Sequence, residues 1–236
     1  MLIRILLPLL LLTACAPTSS VSSSLSGVRI TGAMRDVMWK GELGGKIALD
    51  SLSGRPGYYG LGPLVGLRGE LLLADGVPYV STVGTDSSMQ VRRDPTATAP
   101  FFVYARVQKW KSVPLPESVR SIADLEAFVD QQTKDAPRPF AFRLEGAIIS
   151  AGIHVQNLAP GSVVSNPTEA HAGQVGYNLG YEEVRIVGFF STAHQGIFTH
   201  HDSYLHLHLL TADERAMGHV DALVPGRMTL YLPVKE

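Results

Sequence analysis

The sequence predicts a β-rich α+β fold, with mixed or antiparallel sheets and one or two helices. Three observations carry this. Glycine (23) and proline (15) are frequent enough to punctuate the chain with turns. Short apolar segments alternate with polar positions at the period of a strand. A helical spacing of apolar residues stands out once, over 121–134. The segment 57–80 is glycine-rich. Within it Gly69-Glu70-Leu71-Leu72-Leu73, followed by Asp75-Gly76, reads as strand, tight turn, strand. Residues 101–108 form a second strand segment, and Pro114 and Pro116 end the connection after it. Ser121 is a helix N-cap with Asp124 three residues on, and Ile122, Leu125, Phe128 and Val129 then share one face. Pro137 and Pro139 close that helix. Residues 139–149 alternate, with Phe140, Phe142 and Leu144 on one face and Arg143 and Glu145 on the other. Further strands are expected at 184–190, 204–211 and 227–232.

Composition bounds the function. Hydrophobic residues make up 45% of the 236, enough for a sizeable core, and a formal net charge of −1 gives no broad attraction for nucleic acid. Residues 1–14 place Arg4 before the apolar run Ile5–Leu12, which is too short to span a bilayer and fits a secretory leader. Leu12-Thr13-Ala14-Cys15 resembles a bacterial lipobox, so cleavage would leave a lipidated Cys15 at the mature N-terminus. Residues 15–26 then read as the lipidated Cys and a Ser-rich tether, and 27–236 as the catalytic domain. The expected location is extracytoplasmic, anchored by lipid to a bacterial membrane. Ala16 in place of an aspartate favours the outer one. Cys15 is the only cysteine, so no internal disulfide forms.

Five of the eight histidines fall between His194 and His208: His194, His200, His201, His206 and His208. In Tyr204-Leu205-His206-Leu207-His208-Leu209 the alternation of a strand puts His206 and His208 on one face and the leucines on the other. Two imidazoles so placed reach one divalent ion, and His219, 11 residues after His208, is a third donor. A polar pair on an exposed strand face explains His206 and His208 equally simply, and the spacing overlaps the metal motif of cupins. Glu70 and Arg143 each interrupt an apolar strand, facing either solvent or a pocket. His200 and His201 read as surface or packing groups, or as partners that support the metal ligands or line an entrance. His154 and His171 read as structural or exposed, and Trp39 and Trp110 as core or interface aromatics.

Taken in order, these motifs resemble the α-acetolactate decarboxylase family over roughly residues 55–233. They are Gly60-Leu61-Gly62, Gly69-Glu70, Asp75-Gly76, Ala99-Pro100-Phe101, Arg143-Leu144-Glu145-Gly146, Val187-Gly188-Phe189, His206-Leu207-His208 and Met217-Gly218-His219-Val220. The resemblance implies a zinc ion on His206, His208 and His219, a catalytic Glu70 and a catalytic Arg143. It implies conversion of 2-acetolactate, a 2-hydroxy-3-oxo acid, to acetoin and CO2. Members form dimers, which makes a homodimer the expected assembly. The chain departs from the family at Gly62-Pro63-Leu64, at Leu205 before His206, at Met217, and in a longer connection over 194–201. The family's C-terminal glutamate has only Glu236 as its counterpart. A metal enzyme acting on another small oxo-acid, or a non-enzymatic metal- or ligand-binding lipoprotein, are the competing functions.

Overall fold

The computed structural model describes residues 27–234. The leader, Cys15, the tether up to residue 26, and Glu236 lie outside the described residues. Among the described residues all strand pairings within the sheets are antiparallel, and no helix is long and apolar enough to cross a membrane. In chain order the elements are β1 (Val28–Thr31), α1 (Met34–Lys40), β2 (Ile47–Ala48), β3 (Tyr58–Pro63), β4 (Glu70–Ala74), β5 (Val77–Val83), β6 (Met89–Arg93) and β7 (Thr98–Ala99). They continue as β8 (Phe102–Arg106), β9 (Trp110–Pro114), α2 (Ile122–Gln132), β10 (Phe140–Val155), α3 (Pro167–Ala170), β11 (Val175–Leu179), β12 (Glu182–Phe190), β13 (Leu205–Thr211) and β14 (Met217–Pro233).

The class is the expected one. Among the described residues the α-helices number three rather than one or two, because α1 and α3 are only seven and four residues long and carry no sustained helical period. The helix read from Ser121 is α2. Ser121 accepts a hydrogen bond from the Asp124 amide, and Leu125 and Val129 are its buried face. The Asp75-Gly76 turn is the tight hairpin. Both residues have positive φ (51° and 77°), the geometry whose twist matches the flanking strands.

The first sheet runs β1-β8-β3-β4-β5-β6. In the second, β10 pairs with both β12 and β14, β12 with β13, and β13 with β14, so four strands close into a ring. Register shifts between Gly146 and Ile148, Ile148 and Ser150, and Gly152 and Ile153 bend β10 enough for that closure. Phe142, Leu144, Ile186, Leu207, Leu209 and Leu230 pack inside the ring, with Leu125 and Val129 of α2 joining them. A second apolar layer lies between the ring and the first sheet. It is built from Leu61, Leu72, Tyr79 and Val103 on one side and Val187, Phe189, Leu210 and Met217 on the other. This layer places the site, because any polar side chain on the facing surfaces of the ring and of β4 is enclosed by both.

Candidate metal centre

On β4, Glu70 shares its strand face with Leu72 and Ala74, the residues that pack toward the ring. Alternation therefore turns its carboxyl into the interior, where it is buried. On β13, Leu205, Leu207 and Leu209 fill the ring, and His206 and His208 take the opposite face, as their alternation requires. The register then adds what the linear pattern does not contain. His208 stands opposite His219, and His219 stands opposite His154, so three histidines form one row across β13, β14 and β10. Gly218 permits this approach, since a Cβ there would lie 2.5 Å from the His154 carbonyl oxygen.

The rings converge. Centroid separations are 5.1 Å for His206–His208, 5.1 Å for His206–His219 and 5.6 Å for His208–His219. Three imidazoles on a tetrahedral zinc at 2.0–2.1 Å would hold their centres about 5 Å apart. His206 Nδ1 and both ring nitrogens of His208 are buried with no hydrogen-bond partner. Burial pushes His206 and His208 well below 6.5 and His219 down to about 3, with the neighbouring histidines acting in the same direction on all three. Burial keeps all three neutral, the state in which imidazole binds a metal, and His219 has Asp221 at its Nδ1 and His200 at its Nε2. The donor set therefore fits a zinc-type ion.

Glu70 Oε2 lies 3.7 Å from His208 Nε2, and Oε1 lies 3.9 Å from His154 Nε2 while accepting the Gln156 amide at 3.2 Å. Burial drives its carboxyl well above 4.5, the Gln156 amide opposes this, and Asp221 adds to it. Asp221 accepts from His154 Nδ1 at 2.8 Å and His219 Nδ1 at 3.2 Å. Burial pushes the Asp221 carboxyl up, but those two histidine bonds outweigh it and hold it far below the usual range. His154, His219 and Asp221 also present ligand atoms within 4.8 Å of one another. Asp221, however, occupies the Nδ1 edges of both rings. A carboxylate there fixes the tautomer and turns each Nε2 inward, as outer partners of metal histidines do.

His154 thus belongs to the cluster, against the expectation of a structural or exposed group, and His200 stands beside His219, one of the positions open to it from the sequence. Strand pairing and loop placement bring them in, and neither carries a local signature. His171 lines the same cavity. His201 is exposed, and so is Trp39. Trp110 packs edge-on to Tyr59 at 5.1 Å. Arg143 does not join the histidines. It bonds Glu145 at 2.8 Å and lies over Tyr231 and Trp110, at 4.4 and 5.2 Å. In register it is separated from His208 by the buried Val187. The expectation that it lines the pocket is corrected by this: strand alternation gave the right face but not its distance across the sheet.

The cavity containing Glu70, His154, Gln156, His206 and His219 is about 40 Å³, roofed by Met34, Val37 and Met38 of α1. A cleft of about 320 Å³ adjoins it, lined by Asp202, Ser203 and Asp221, and His200 and His219 border both spaces.

A sequence profile described as "Alpha-acetolactate decarboxylase" matches residues 31–234. Among solved structures, α-acetolactate decarboxylase from Bacillus subtilis strain 168 is similar at 21% identity and TM-score 0.74, covering 89% of this chain and 86% of that one. A Staphylococcus aureus protein described as similar to α-acetolactate decarboxylase gives 17% identity and TM-score 0.73 over the same shares. A search of curated proteins finds no match.

Proposed function

Because the chain belongs to the α-acetolactate decarboxylase family, we propose that it converts 2-acetolactate to acetoin and CO2 with zinc held by His206, His208 and His219. The observation that supports this most is the convergence of three buried, neutral imidazoles beside one buried carboxyl. In the reaction the bond from C2 to the carboxylate breaks and CO2 leaves. The electron pair moves toward the neighbouring carbonyl oxygen, and a proton returned to C2 completes acetoin. Zinc in this site would supply the Lewis acidity that polarises the carbonyl. Glu70, whose carboxyl burial raises well above the usual range, is the group placed to deliver the proton and recover one from solvent. His154, oriented by Asp221, directs Nε2 into the same space, where its lone pair is placed to accept from the substrate's 2-hydroxyl. The apolar wall from α1 excludes water around these groups. Arg143, held by Glu145 and the two aromatic rings, takes no part in this reading.

The test is metal analysis and acetoin formation by the purified protein. Wild type should carry one zinc per chain and turn over acetolactate, and His208→Ala should lose both. Full zinc in that variant, or full turnover by the metal-free chain, would overturn the assignment. Comparison with related 2-hydroxy-3-oxo acids then fixes the substrate.

We also propose that Cys15 carries the lipid anchor and holds the domain at an extracytoplasmic membrane face. The lipobox-like Leu12-Thr13-Ala14-Cys15 supports this. Labelled palmitate should enter the wild type and not Cys15→Ala; equal labelling removes the anchor from the account.

A further inference from the structure

We propose that His200, carried by the connection between β12 and β13, is a fourth and displaceable ligand of the metal held by His206, His208 and His219. This rests on the three-histidine reading above. His200 Nε2 lies 3.0 Å from His219 Nε2. Two nitrogens bound to one tetrahedral ion at 2.0–2.1 Å stand about 3.3 Å apart, so the pair is spaced to share an ion. The His200 ring is edge-on to His219 at a centroid distance of 4.9 Å and to His206 at 6.3 Å. It therefore adjoins the cluster on the side of His219 and His206, where both bordering spaces meet.

The connection is built to hold it there. Gly196 and Ile197 carbonyls accept from the Arg35 and Met34 amides of α1 at 2.9 and 2.8 Å. Phe198 is fully buried in the layer between the sheets, and Leu205 begins β13 inside the ring. Between these fixed ends His200 is the inward member, while His201 and Asp202 are exposed. Its position also explains why the ligand is exchangeable. His200 stands between the 40 Å³ cavity that contains Glu70 and the 320 Å³ cleft. A small chelating oxyacid arriving through the cleft reaches the ion only by taking His200's place. The loop thus closes the coordination sphere at rest and yields it to a 2-hydroxy acid.

The experiment loads the full chain with Co²⁺ in place of zinc and records the d–d absorption, alongside Zn²⁺ affinity by competition with a chelator. Wild type should show the intense band of a four-nitrogen tetrahedral site. His200→Ala and His200→Asn should show a weaker, shifted band, restored by free imidazole in the alanine variant. They should also show Zn²⁺ binding weakened by at least about tenfold. Spectra and affinities identical to wild type in both variants overturn the proposal and leave the triad standing. Metal retained by His208→Ala, or no metal in wild type, sinks the triad reading and this ligand with it.

Discussion

Glu70 is held where burial opposes its charge, and the consequence for stability has a definite sign. Its carboxyl is pushed well above 4.5, so the folded chain holds the proton more tightly than the unfolded chain. Its contribution is fully present below about pH 4.5 and is lost as the pH rises toward the folded value. Glu70→Gln should therefore stabilise the metal-free protein at pH 8 and leave it unchanged at pH 4. The gain is about 1.4 kcal/mol for each pH unit over which the buried acid resists ionising. Acetoin formation should fall by at least about 100-fold in the same variant. Denaturant titrations at the two pH values check the first part, and equal stabilities at pH 8 would contradict it. At this scale the sequence was half informative. Glu70, His206, His208 and His219 were legible because each breaks or decorates an apolar strand. His154 was not, since a lone histidine after Ile153 has no local mark, and Asp221 shows its purpose only against two ring edges.

The elements that were legible are those whose burial is one-sided or whose ends carry specific chemistry. α2 has its cap and stripe, the β4–β5 hairpin has Asp75-Gly76, and β13 has strict alternation. Edge strands escaped. β6 and β11 alternate only between half-buried and exposed positions over five residues, and β9 carries lysine and ends in Pro114, because an edge needs little apolar surface. β10 and β14 proved longer than their apolar cores, since bulged segments continue the pairing past the clear pattern. The close contact of these two strands at Gly218 makes a prediction. A methyl there meets the His154 carbonyl at 2.5 Å, so Gly218→Ala should cost about 1–3 kcal/mol and pull His219 away from His154. Thermal unfolding and zinc affinity should fall together. A variant as stable and as tight as wild type would show that the strands can separate freely.

The whole molecule encloses several imidazoles in a site that water would otherwise keep charged at low pH. Burial holds His206 and His208 well below 6.5 and His219 at about 3, so the unfolded chain binds protons that the folded one refuses. Stability is then present above about pH 6.5 and is lost as the pH falls toward about 3. The slope reaches about 1.4 kcal/mol per pH unit for each histidine. The denaturation midpoint of the metal-free protein should drop steadily below pH 6.5, and added Zn²⁺ should raise it at neutral pH. A midpoint flat between pH 7 and 5 would mean that the rings reach solvent.

By itself the sequence determined the β-rich class, the one long helix, the face on which His206 and His208 lie, and the kinship on which the chemistry is read. Those properties are written in local alternation and in short ordered motifs. Only the tertiary structure decided which residues meet. Closing β10, β12, β13 and β14 into a ring sets His154, His219 and His208 in one row, brings Glu70 over from the other sheet, and leaves Arg143 two strands away. Register and closure arise from pairings between residues far apart along the chain, and no local period records them.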